Sequence, residues 1–265
     1  MEFNFSFNFD FGNWFFVLIG ITIAVVLFRR KRRGVAEQIA QNAARAAQSG
    51  MGYAPPEPDS AGTEINEATH RFTGSDGDID WIVEALALDD QDLGRSASQI
   101  GNHQCYTRWS SRVLPTGGGA LIAMHLPEGS KTDVTPGTGW LGKLTNSIGG
   151  VALKLFVRTA FGATRSQSLS ITPEQWLRDD DEHFAMGYRV FGQPPALLAR
   201  LTPAARQWLL HAYDHKIALL WDEKGLVLTW PTPRVKPEQV AACAEFGVAF
   251  VRLMRGEAVQ DLQKK

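Results

Sequence analysis

Residues 217–230 read IALLWDEKGLVLTW, two short apolar runs, Ile217–Trp221 and Leu226–Trp230, on either side of Asp222–Gly225. Short apolar runs joined by a polar turn that contains glycine predict a β-hairpin. Pro231, Pro233 and Pro237 end it, since proline brings no N–H to a sheet ladder.

The neighbouring sequence extends this sheet. In 105–114 (CYTRWSSRVL), Cys105, Thr107, Trp109, Ser111 and Val113 share one face, and Tyr106, Arg108, Ser110, Arg112 and Leu114 the other. That pattern predicts a strand in a half-exposed antiparallel sheet. Residues 79–88 and 120–126 also read as strands, and Pro115–Gly119 suits a hairpin connection between 105–114 and 120–126. A further short strand is expected at 184–191 (FAMGYRVF). Thr202 and Pro203 start a helix as N-cap and first position, carrying Trp208, Leu209 and Leu210. A last helix runs from about Pro237 to Arg255, with Val240, Ala244, Gly247, Val251 and Met254 on its core face. Another is expected over 140–162, where Leu141, Leu144, Ile148, Val151 and Leu155 recur at helical spacing. Antiparallel strands with interspersed helices make this an α+β domain.

The N-terminal end is of a different kind. From Phe11 to Phe28 the chain carries no charge and reads WFFVLIGITIAVVLF over 14–28. As a helix it is roughly 27 Å long, enough to cross a bilayer core. Arg29, Arg30, Lys31, Arg32 and Arg33 follow, and no Lys or Arg precedes the run. The positive-inside rule then puts the N-terminus outside and the C-terminal domain in the cytoplasm, as a single-pass signal anchor; a bacterial inner membrane is the natural setting. A secretory signal would reverse this polarity. The expected organisation is a non-cytoplasmic aromatic tail (1–10), a transmembrane helix (11–28), a basic cluster and helical stalk (29–48), a Pro/Gly-rich linker (49–69) and a cytoplasmic α+β domain (70–265). Residues 170–183 are the place where that domain would divide in two.

Without residues 1–33, Lys+Arg falls from 27 to 22 and Asp+Glu from 28 to 26, a net charge of −4. That argues against nucleic acid as a partner. Cys105 and Cys243, the only cysteines, read as reduced residues of a cytoplasmic domain.

The chemistry-bearing motifs are sparse. PGTGWLGKLT (136–145) satisfies two glycine-rich phosphate patterns, but it follows a polar stretch rather than a buried strand, and Leu144 replaces the hydroxyl that would hold magnesium. Asp76, Asp78 and Asp80 lack the glycine and distal acid of a calcium loop. Asp179–Glu182 reads as a hydrated acidic loop. His211 and His215 stand four apart, the spacing of two zinc ligands on a helix, with no third ligand evident. There is no nucleophile elbow. No catalytic residue, cofactor or resident metal is expected.

From Val134 to Pro173 the chain has no Asp or Glu, while Lys143, Lys154, Arg158 and Arg165 recur at helical spacing. An apolar helix with a cationic stripe, tethered near a membrane, suits contact with anionic lipid. Three functional readings follow. The leading one is a non-enzymatic partner-binding or scaffolding module in a membrane-protein complex or homo-oligomer. The second is lipid-surface engagement through 140–165, helped by Arg29–Arg33. The third is an enzyme or metal protein using His211, His215 or the acidic loop.

Overall fold

In a computed structural model of the chain, the 217–230 hairpin forms at the centre of a nine-stranded sheet. The structure describes residues 36–37, 39–55, 68–87, 107–125, 153–154, 156–158, 160–161, 163–169, 172–177, 179–212, 216–231 and 236–259. The chain divides into two units, 1–45 and 46–265. In the first, residues 36–37 and 39–45 are helical. The second holds the sheet.

Its strands are β1 (Gly52–Ala54), β2 (Ala68–Asp76), β3 (Ile79–Ala87), β4 (Thr107–Ser111), β5 (Ala120–His125), β6 (Trp176–Leu177), β7 (Tyr188–Gln193), β8 (Ala218–Asp222) and β9 (Gly225–Trp230). They lie in the order β1-β2-β3-β4-β9-β8-β5-β7-β6, and every neighbouring pair is antiparallel. The helices are α1 (Ala163–Ser168), preceded by helical residues 153–154, 156–158 and 160–161, α2 (Glu182–Gly187), α3 (Ala196–Arg200), α4 (Pro203–His211) and α5 (Pro237–Met254). The α+β class holds. Among the described residues no helix is long and apolar enough to cross a membrane; the run at 11–28 lies outside them.

Alternate residues of the central strands feed two cores. One gathers Trp109, Leu219, Trp221, Leu226, Leu228 and Trp230 with Val240, Cys243, Ala244, Val248 and Val251 of α5. The other gathers Ile122, Phe191, Ala218, Leu220 and Val227 with Leu153, Val157, Ala160 and Phe161. Every residue of β8 and β9 is buried, which is why their sequences are continuous apolar runs rather than alternating ones. The half-exposed sheet expected from 105–114 is thereby corrected: β4 is covered on both sides at all but one of its residues. Exposure on the outer face begins further out, at Arg71, Thr73 and Asp80.

The strands expected within 105–114 and 120–126 appear as β4 and β5, but they do not pair with each other. β4 bonds to β3 and β9, and β5 to β7 and β8. The β8–β9 hairpin is seated between them, and residues 112–119 arch over its tip. Gly225 makes the close approach possible: its φ is +106°, and a Cβ there would lie 2.2 Å from the Ser111 carbonyl oxygen. Thr116 N–H donates to the Asp222 carbonyl at 3.1 Å, and Trp221 Nε1 to the Leu114 carbonyl at 2.6 Å.

Two further expectations change. The strand placed at 184–191 begins only at Tyr188; α2 precedes it. Asp181 caps this helix by accepting from His183 N at 3.0 Å and Phe184 N at 3.1 Å. Phe184 and Tyr188 then stack, with ring centroids 5.0 Å apart. The Pro/Gly-rich stretch 49–69 contains β1, whose Tyr53 packs on Phe72 with centroids 5.0 Å apart, and the start of β2. Residues 56–67 lie outside the described residues. Strands before and after 170–183 belong to one sheet, since β5 pairs with both β7 and β8.

Candidate functional site

The cationic helix is built onto the sheet. Leu153, Val157, Ala160 and Phe161 are buried, while Lys154 and Arg158, one turn apart, are exposed. The Ala160 carbonyl accepts from Arg108 Nε at 3.0 Å and from Thr229 Oγ1 at 3.1 Å, so strands β4 and β9 hold the helix by one oxygen. Arg165 turns inward, with Nη1 lying 3.1 and 3.2 Å from the two carboxylate oxygens of buried Asp222. Burial lowers the Arg165 pKa from its ordinary value; Asp222 opposes this, Arg108 adds to it and Glu84 opposes it. The expected stripe is therefore split in position: Lys154 and Arg158 are exposed, and Arg165 is drawn to buried Asp222. Lys143 and Arg29, Arg30, Lys31, Arg32 and Arg33 lie outside the described residues, as do Leu141, Leu144, Ile148, Val151 and the 136–145 glycine pattern.

The acidic segments pair with arginines, one of them buried and the other on the surface. Asp179 is buried, accepting from Arg206 Nη1 at 2.7 Å and from Asp181 N at 2.9 Å. Arg206 also donates to the Leu198 carbonyl at 3.0 Å. The loop is thus pinned to α4 rather than wholly hydrated. At the β2–β3 turn, Asp76 meets Arg252 at 2.7 Å and Asp78 takes both Nη1 and Nη2 of Arg255 at 3.0 and 2.8 Å. The Arg255 hydrogen bond is the main reason the Asp78 pKa lies below its ordinary value.

His211 is exposed at the end of α4, its Nδ1 lying 3.3 Å from the Gln207 carbonyl; His215 lies outside the described residues. Among the described residues no three His, Cys, Asp or Glu side chains are grouped to hold a metal. A cavity of about 260 Å³ opens beside the arch, lined by Gly119, Ser168, Gln193, Asp222 and Lys224. Its buried carboxylate, Asp222, is already paired with Arg165.

Two features escape sequence reasoning. His70 on β2 is buried, and the Tyr53 hydroxyl lies 2.8 Å from its Nδ1. Burial lowers the His70 pKa. Nothing in the sequence links these residues, which meet only because β1 pairs with β2. The second feature is the sheet edge at β6. Trp176, 39% exposed, sits opposite Phe191, and Met186 on α2 is 68% exposed. They are the two large apolar side chains left uncovered among the described residues. The signal available was a lone tryptophan in a polar, acidic stretch. No protein-family model, curated protein or solved structure matches the chain.

Proposed function

We propose that this chain is a single-pass membrane protein, anchored through residues 11–28 with its N-terminus outside, whose cytoplasmic domain binds a protein partner and has no catalytic role. A bacterial inner membrane is the proposed setting. The observation that carries this reading is Trp176. It is a large apolar side chain on the last strand of the sheet, with no strand beyond it among the described residues. β6 has only two residues, too few to template an added strand, so the contact proposed is with the exposed Trp176 side chain, a residue type enriched at protein interfaces. Met186, on the helix leading into β7, adds apolar surface near the same end of the sheet. Of the acidic residues, Asp179 and Asp222 are buried and each is held by an arginine, which supports a packing role for these two.

The test is photo-crosslinking of the full chain in its own membrane. A photoreactive phenylalanine at position 176 is compared with one at the exposed position 242 on α5. A discrete protein adduct at 176 and none at 242 is expected. Identical products at both positions, or none at either, would remove the partner-binding reading.

A second reading rests on Lys154 and Arg158. With the apolar face of their helix already packed on the sheet, these two cations are presented outward, so any lipid contact is electrostatic rather than insertion. Flotation of residues 36–265 with anionic vesicles, beside the Lys154→Glu/Arg158→Glu variant, tests it. Salt-sensitive binding lost in the variant supports the reading; no binding by the parent fragment rejects it.

A further inference from the structure

We draw no further inference here: the strongest candidate, the groove of about 410 Å³ between the β2–β3 turn and α5 lined by Asp76, Glu245, Val248 and Arg252, has its Asp76 already paired with Arg252, and nothing among the described residues shows what would occupy it.

Discussion

Gly247 of α5 lies directly against the indole of Trp109 on β4: a Cβ at position 247 would stand 2.2 Å from Cε2 and 2.3 Å from Cδ2. The helix approaches the sheet this closely because that residue has no side chain. Trp109 is fully buried, so its ring has no room to retreat.

The Gly247→Ala variant sets two effects against each other. Alanine favours the helix by about 1 kcal/mol over glycine, whereas overpacking a filled core costs about 1–3 kcal/mol. The contact is with a rigid ring rather than a flexible chain end, so net destabilisation is expected. Urea unfolding of wild type and variant measures it; an unchanged or raised midpoint would show that α5 can shift off the sheet.

Arg206→Met is expected to cost about 3–5 kcal/mol, because it leaves the buried Asp179 carboxylate without its cation. Asp179→Asn/Arg206→Met should recover part of that loss. Chemical denaturation of these two variants and of Asp179→Asn alone provides the comparison, and additive losses would show that the two residues are not coupled.

Lys154→Glu and Arg165→Met separate two roles within the cationic stripe. Lys154→Glu should leave the unfolding midpoint nearly unchanged, within about 0.5 kcal/mol. Arg165→Met strands buried Asp222 and should cost on the order of 3 kcal/mol. Equal effects from the two would mean that Arg165 is no more structural than its neighbours.

His70 gives a pH dependence of known sign. Its pKa in the folded chain is depressed by burial, so the unfolded chain takes up the proton more readily. Stability is full above the ordinary histidine value near 6.5 and is lost as the pH falls through it toward the folded value. Unfolding at pH 7.5, 6.5 and 5.5 should show a slope that His70→Gln reduces. An identical slope in the variant would assign the effect to other groups.

What the sequence made legible was local. The 217–230 hairpin, the Thr202–Pro203 helix start, and the long apolar face of α5 all declare themselves within a few residues. Thr202 Oγ1 accepts from Ala205 N at 3.2 Å, as its identity suggests. What stayed hidden was pairing between distant segments. Residues 115–119 look like a hairpin turn because turn chemistry is set by glycine and proline, while the choice of neighbour is set by which strand can cover which face. Phe184 and Tyr188 are as compatible with a strand as with a helix; Asp181 decides the matter by capping. The candidate site was only partly legible for the same reason. The spacing of Lys154, Arg158 and Arg165 was visible, but not the distant aspartate that draws the third one inward.

The arch of residues 112–119 over the tip of the β8–β9 hairpin has a consequence for the order of events during synthesis. Thr107 must pair with Trp230, and Leu121 with Trp221, so β4 and β5 emerge from the ribosome long before the strands that separate them. Until residue 230 is available, the middle of the sheet is an open slot flanked by two apolar edges. The domain cannot close progressively from its N-terminal end; it closes when its C-terminal third arrives. Chains truncated before the hairpin should therefore expose both slot edges and aggregate, rather than persist as a smaller stable sheet.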